Sequence, residues 1–287
     1  MPVALVVGAS GAIGGFLLPR LLAAGYEVVA LSRTPRASAD PRLRWQVGDL
    51  DGAMPALPPA DVLYSLGPLD AFARWFARTP SLRPPRVVAF GSMSVASKRD
   101  SVDAAERALA ARLHVAEQEL AAAATVRGCA WTVFRPTLIY GAGVDRSLTP
   151  IARCALRWRV FPHPYGAHGL RQPVHADDLA AACLAVLGTR ASADRVYALG
   201  GGERLSFAAM CARVRASLPV ATLPLPLPLA VLRGLAPFAR AFGLPAPGAA
   251  MLARLRDDLV ADHAAAVADF GWAPRPFRPD AAAWRAR

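Results

Sequence analysis

Lysine is almost missing from this chain of 287 residues: of its 33 basic residues, 32 are arginine and one is Lys98. Cysteine and tyrosine are also scarce, with 4 and 5 copies. The cysteines (Cys129, Cys154, Cys183 and Cys211) stand far apart, with no C-x-x-C and no Cys/His cluster. That spacing excludes a zinc site and a disulfide framework and fits a reducing compartment. A basic leader is lacking before the first apolar run, so a secretory signal is not expected and a cytoplasmic location is. A long uninterrupted hydrophobic run is lacking too. The stretch "LPLPLPLAVLRGLAPFARAFGLPAPG" is broken by Arg233 and Arg240 and bracketed by prolines, which disqualifies it as a membrane span. It reads instead as core helices of a small lobe. Charged residues make up only 19% against 54% hydrophobic, a balance that excludes a disordered chain.

The formal charge of +12 raises the question of a polyanionic partner. The arginines are dispersed, however, with no basic run and no interleaved aromatics, so the pattern argues against nucleic acid and against a membrane. Arginine replacing lysine throughout reads as a compositional bias. A small-molecule substrate is the expected partner.

What is present is an alternation of strands and helices. "VALVV" (Val3 to Val7) is the mark of a strand buried on both faces. "YEVVALSR", "LRWQVGD", "DVLYSLG", "RVVAFGS" and "AWTVFRP" read as five more strands. "LDAFARWFAR" and the alanine-rich run 104–124 read as helices, the latter with Leu109, Leu113 and Leu120 on one stripe. Such alternation implies a parallel sheet with right-handed crossovers. The expected fold is α/β: a Rossmann-type doubly wound parallel sheet with a smaller C-terminal substrate lobe. The whole of 1–287 reads as one domain, its sheet mainly in 1–145 and its lobe mainly from 146–170 and 200–287.

Gly8, Gly11 and Gly14 follow the first strand and open a helix. The first permits a tight turn, the second lets backbone approach a pyrophosphate, and the third lets helix and strand pack closely. The helix N-terminus offers free N–H groups to the anion. Together they point to a dinucleotide. The second strand ends in "ALSRTPR", with no acidic residue to bond an adenosine 2′-hydroxyl. Ser32, Arg33 and Arg36 stand there instead, and an arginine fork suits a 2′-phosphate. NADP is therefore expected, with NAD as the alternative.

At this point the chain resembles the extended short-chain dehydrogenase/reductase family, the NAD-dependent epimerase/dehydratase group, over nearly its whole length. "GASGAIG" matches the cofactor fingerprint, which adds Ser10, Ala12 and Ile13 to the cofactor set. "GDLD" places Asp49 and Leu50 by the adenine. "YSLGP" places Ser65, Leu66 and Gly67 along the cofactor. "FRPTLIYG" resembles the turn beside the nicotinamide, with Pro136 and Thr137 at the cofactor and Tyr140 toward substrate. "RQPVHADDLAAA" resembles a segment bordering the substrate pocket, where Arg171 and His175 are candidates for substrate contact and Asp177 and Asp178 cap a helix. "DFGWAPRPF" resembles an element near the family's C-terminus. Trp131 and Trp272 read as core. The family commonly forms homodimers through helices flanking the sheet.

The resemblance implies a catalytic tyrosine and a lysine four residues later on the helix after the fifth strand, where one helical face presents both. Here "VAEQEL" sets that register and places Leu109 and Leu113 at the pair. No tyrosine or lysine occurs anywhere on that helix. The family's Ser/Thr position falls at Met93, flanked by Ser92 and Ser94. Lys98 lies four residues past Ser94, read as loop at the C-terminal edge of the sheet, where doubly wound folds bind ligands. Ser92, Ser94 and Lys98 are thus the catalytic candidates, against a reading of Lys98 as a solvated loop cation. No metal site is expected. Two functions remain open. One is an NADP-dependent oxidoreductase or epimerase with substituted catalytic groups, acting on a hydroxylated metabolite such as a nucleotide sugar. The other is a catalytically silent dinucleotide-binding protein with a sensing or assembly role.

Overall fold

A strand covered on both faces needs an apolar side chain at every position, and the first run of the chain supplies one. In the computed structural model, which describes residues 1–145, 147–231, 234, 252 and 255–285, this run is β1 (Val3–Val7). After it come α1 (Gly14–Ala23), β2 (Glu27–Ser32), β3 (Leu43–Val47), β4 (Val62–Ser65), α2 (Leu69–Ala77) and β5 (Arg86–Phe90). A four-residue helix α3 (Ser94–Ser97) leads to the long α4 (Ala104–Val126), capped by Asp103, whose carboxylate accepts from the N–H of Ala105 at 2.8 Å. Then follow β6 (Ala130–Pro136), β7 (Ile139–Tyr140), α5 (Leu148–Trp158), β8 (Val160–Tyr165), β9 (Leu170–Arg171), β10 (Val174–His175) and α6 (Ala176–Ala185). The last elements are β11 (Arg195–Leu199), β12 (Leu205–Ser206), α7 (Phe207–Ala216), β13 (Leu223–Pro228) and α8 (Ala264–Phe270).

Seven strands form one parallel sheet in the order β11-β6-β5-β4-β1-β2-β3. The order reverses between β1 and β4, the crevice where such sheets bind ligands. Strand alternation then sorts the core into two layers. Ala4 and Val6 pack with Phe16, Leu17 and Leu21 of α1 and with Leu179 and Ala180 of α6. Leu5 and Val7 pack with Phe72 and Phe76 of α2 and with Leu120 and Ala124 of α4. The doubly wound architecture expected from the alternation is the one found. Strand β11 lies beyond the strands read from sequence.

A third apolar cluster, with Phe161, Phe207, Met210, Phe277 and Trp284 around Tyr140, forms the smaller lobe. One expectation fails there. Leu223–Pro228 is not a helix but a strand, paired in parallel with β8. Its prolines alternate with leucines, so the missing N–H groups all fall on one edge of the strand, the arrangement sheets tolerate. Leu223 donates its N–H to Arg159 O at 2.8 Å. The rest of the apolar proline-rich stretch, apart from Leu229, Ala230, Val231 and Gly234, lies outside the described residues. No helix among the described residues is long and apolar enough to cross a membrane.

The lobe is tied to the sheet by a chain of charges. Arg20 of α1 donates to Asp177 through Nε at 2.9 Å and Nη2 at 2.7 Å. Arg275 donates to Asp177 and Asp178, at 2.7 Å each. Burial pushes the Asp177 carboxyl up, but the hydrogen bonds from Arg275 and Arg20 push it down by more, and it ends below the usual carboxylate range.

Candidate functional site

The glycine turn is built as its sequence requires. Gly8 sits at φ +75°, and a Cβ there would lie 2.9 Å from Gly67 N, so the chain leaving β1 passes backbone to backbone against the chain leaving β4. Gly11 N donates to Gly8 O at 3.0 Å, closing the turn. A Cβ on Gly14 would lie 2.0 Å from Ala9 O, so α1 meets the turn without room for a side chain. Ile13, the residue before α1, makes no side-chain cap, and the first turn holds no acidic residue. With Gly15 N and Phe16 N already bonded to Gly11 O and Ile13 O, the helix start offers the N–H groups that precede them and its positive dipole end, the arrangement that holds a phosphate. Ser10 and Gly11 are exposed, Ala12 is partly exposed and Ile13 is buried.

Around the turn, Ser32 ends β2 buried, its Oγ accepting from Thr34 N at 3.3 Å. Arg33 is exposed. Arg36 lies over the Trp45 ring, 5.5 Å from its centroid. Asp49 is exposed and accepts from Asp51 N at 3.2 Å, while Leu50 packs against the α2/α4 layer. Ser65 is wholly buried, its Oγ meeting no hydrogen-bond partner among the described residues. Leu66 N donates to Val7 O at 2.9 Å and carries Gly67 to the turn.

A cleft of ≈ 980 Å³ opens at the C-terminal edge of the sheet. It joins Ala12 of the glycine turn, Pro136 and Thr137 at the end of β6, and Ser92, Ser94 and Lys98. Thr137 donates its hydroxyl to Gln172 O and its N–H to Leu199 O, so its place is fixed by β11 and by the turn between β9 and β10. Ser92 Oγ donates to Ser94 Oγ at 3.1 Å and accepts from Ser94 N at 3.1 Å, which orients the two hydroxyls as a unit. Lys98 closes α3, and its Nζ stands 3.6 Å from Glu106 Oε1 in the first turn of α4. Its side chain is 19% exposed, so it is no solvated loop cation. Ser101 Oγ holds the other Glu106 oxygen at 2.8 Å.

Other sequence candidates are placed differently. Arg171 lines the cleft but is 5% exposed, and its Nη1 donates to Leu170 O and Asp257 O at 2.7 Å each. Tyr140 is 2% exposed, with His175 edge-on at 5.0 Å and Phe277 at 4.8 Å; burial raises its phenol far above the usual range. His175 Nδ1 accepts from Asp177 N at 3.1 Å and so caps α6. These two lie beneath the cleft and do not line it. Leu109 and Leu113 are partly buried on α4 and do not line it either.

One pair escaped the sequence reading. Glu117, 5% exposed on α4, receives Arg135 of β6 through Nε at 2.8 Å and through Nη2. It clamps the helix to the strand directly below the cleft. The only hint of it was the glutamate of "VAEQEL" and the arginine of "FRPT", eighteen residues apart in sequence. Among the described residues no group of His, Cys, Asp and Glu is arranged to hold a metal.

Comparison with known proteins bears on the fold. Residues 4–55 match the family described as NAD dependent epimerase/dehydratase. No curated protein sequence matches the chain. Among solved structures, MoeE5 in complex with UDP-glucuronic acid and NAD is similar over 98% of this chain and 96% of that one, with 20% identity and a TM-score of 0.73. The UDP-glucuronic acid 4-epimerase from Bacillus cereus in complex with NAD covers the same shares at 14% identity and a TM-score of 0.73. The UDP-glucose 4-epimerase from Thermotoga maritima with UDP-glucose covers 95% of this chain and 93% of its own at 14% identity, TM-score 0.66. The chain shares the fold of these solved structures.

The comparisons also correct the cofactor expectation. Four of the similar structures hold a dinucleotide, and in each it is NAD. The expectation of NADP rested on Arg33 and Arg36 forming a fork. Arg36 is instead laid against Trp45, which takes half of that fork away.

Proposed function

We propose that the chain is an NAD-dependent oxidoreductase or epimerase acting on a hydroxylated metabolite of the nucleotide-sugar kind, with Ser92, Ser94 and Lys98 serving in place of a tyrosine–lysine pair. The observation that carries this reading is the single cleft that joins the glycine turn to those three side chains. The similar structures that hold UDP-sugars support the substrate class.

In this reading the uncapped start of α1 and the turn of Gly8, Gly11 and Gly14 receive the pyrophosphate. Asp49, Leu50 and Ser32 flank the adenosine end, and Ser65 to Gly67 with Pro136 and Thr137 line the path to the nicotinamide. NAD, when bound, supplies a hydride acceptor that a substrate carbinol can reduce and later draw on. The protein's part is the proton and the oxygen. The Ser94 hydroxyl, oriented by Ser92, hydrogen-bonds the reacting oxygen. As hydride leaves the carbinol carbon, the carbinol proton passes through the Ser94 hydroxyl to Lys98, which hands one ammonium proton to the Glu106 carboxylate 3.6 Å away, and the same path returns it when the carbonyl is reduced. Arg171, held to two carbonyls, contributes positive charge to the substrate side of the cleft. Tyr140 and His175 hold β7 and β10 in place beneath it.

The test is nicotinamide fluorescence on titrating NADH, followed by turnover of UDP-sugars by wild type, Lys98→Met and Ser94→Ala. NADH should bind all three alike, and Lys98→Met should lower turnover by about 10²-fold or more. Absence of NADH binding overturns the reading. Binding without turnover, or turnover indifferent to Lys98, leaves the silent binding protein in its place.

A further inference from the structure

A second depression, of ≈ 700 Å³, lies at the opposite edge of the sheet. It opens where α2 ends and the chain turns into the start of β5, and where α4 ends and the chain turns into the start of β6. Arg78, Arg83 and Arg127 converge on it. Each is pinned by one N–H to a main-chain carbonyl: Arg78 Nε to Arg74 O at 3.2 Å, Arg83 Nε to Pro80 O at 3.3 Å, and Arg127 Nη2 to Ala77 O at 3.0 Å. The Arg127 guanidinium also lies over the Phe76 ring at 4.2 Å, which sets its plane.

These arginines have no ion-pair partner among the described residues and line one groove together. Arg20, Arg135 and Arg275 each meet a carboxylate. Arg74, on the rim of the same groove, is neutralised by Asp51 at 3.0 Å and Asp70 at 3.8 Å. Arg78, Arg83 and Arg127 form no ion pair among the described residues, and the groove has one carboxylate on its wall, Glu119. The carbonyl end of α2 attracts a cation, and one arginine there needs no other explanation. Three that crowd one another do. Burial and, to a smaller extent, the like charge of Arg83 lower the Arg127 pKa, while Nη1 of Arg127 is buried without an acceptor among the described residues. The three guanidinium groups thus line one groove with no ion pair to neutralise them among the described residues.

We propose that this groove binds a small polyphosphate anion, the di- or triphosphate group of a metabolite, at the edge of the sheet opposite the candidate active cleft. Guanidinium forks match phosphate oxygens bidentately, and three of them balance the charge of such a group. Ala122, Ala123 and Val126 make a small-residue wall on the α4 side that leaves room for it. A nucleic acid would need cations in a row along its backbone, and these sit in one hollow.

The test is isothermal titration of the full chain with inorganic pyrophosphate and with tripolyphosphate, in the presence and absence of saturating NAD. NAD occupies the glycine turn in our functional reading, so anion binding at the groove should persist beside it. Arg83→Gln should weaken tripolyphosphate about tenfold and the Arg78→Gln/Arg83→Gln double variant about a hundredfold, with orthophosphate weakest throughout. Both arginines are exposed, and an unchanged melting temperature and NADH affinity in the double variant confirm that the rest of the protein is intact. Equal binding by wild type and double variant overturns the proposal, as does complete displacement by NAD or no binding at low salt. Should NAD itself fail to bind, the comparison of wild type with double variant still decides the question.

Discussion

Gly14→Ala is the sharpest single perturbation of the glycine turn, and its size follows from geometry. The added Cβ would stand 2.0 Å from Ala9 O, 2.6 Å from Ala9 C and 2.9 Å from Ala9 Cα. All three are backbone atoms, so no side chain can rotate away. Relief requires α1 and the turn to separate by about 1 Å or more, against a core that packs Phe16, Leu17 and Leu21 on the sheet. Overpacking of this kind costs about 3 kcal/mol at the upper end of its usual range. Alanine returns up to ~1 kcal/mol in helix propensity, so the net loss is about 2 kcal/mol. In a domain of this size that lowers the melting temperature by roughly 3 °C. The same displacement moves the N–H groups of the first turn of α1 off the proposed pyrophosphate, so NADH affinity should fall by more than stability alone dictates. Thermal unfolding by circular dichroism and NADH titration by fluorescence measure the two effects. Gly188→Ala, where an added Cβ meets nothing within 4 Å, is the matched control. If Gly14→Ala behaves like Gly188→Ala in both assays, the account of why this turn needs its third glycine is wrong.

Two further perturbations address the frame around the cleft. Glu117→Ala strands Arg135, whose side chain is only 24% exposed, and should destabilise the fold by about 3 kcal/mol in urea unfolding. Adding Arg135→Met should recover most of that loss, whereas a deficit unchanged by the second substitution would deny the pairing. Asp177→Asn tests the strap between α1, α6 and the C-terminal segment through pH. Because the folded carboxyl lies below its ordinary 3.8, the stabilisation is full above that value and is lost as pH falls through the lower folded one. Wild type should therefore exceed Asp177→Asn in stability at pH 7 and approach it as the pH falls through the lowered folded value, and a gap independent of pH would refute the assignment.

How much of this was readable beforehand depends on which physical signal each feature leaves. Strands buried on both faces leave continuous apolar runs, and β1, β2, β4 and β5 were legible for that reason, while the half-exposed edge strand β3 was read from the shorter run LRWQV. The glycine turn was legible because Gly8 at positive φ and Gly14 against Ala9 O admit no other residue without strain. β11 (RVYAL) was missed because it is an edge strand with Arg195 and Val196 exposed, so its run is short and interrupted. The proline-rich strand carried the clue in plain view. A proline at every second position is incompatible with a helix interior and compatible with an edge strand, yet hydrophobicity alone suggested core helices. Side-chain direction was the least legible quantity. Sequence placed Arg33 and Arg36 together but could not show that Arg36 turns to Trp45. It placed Lys98 after Ser94 but could not show Glu106 reaching it from the next helix. That last pairing changes what the lone lysine can be. A cation held by a carboxylate, at the mouth of a cleft that also holds Ser94, has a fixed position. A fixed position is what a group must have to act on a substrate oxygen without the tyrosine that α4 lacks.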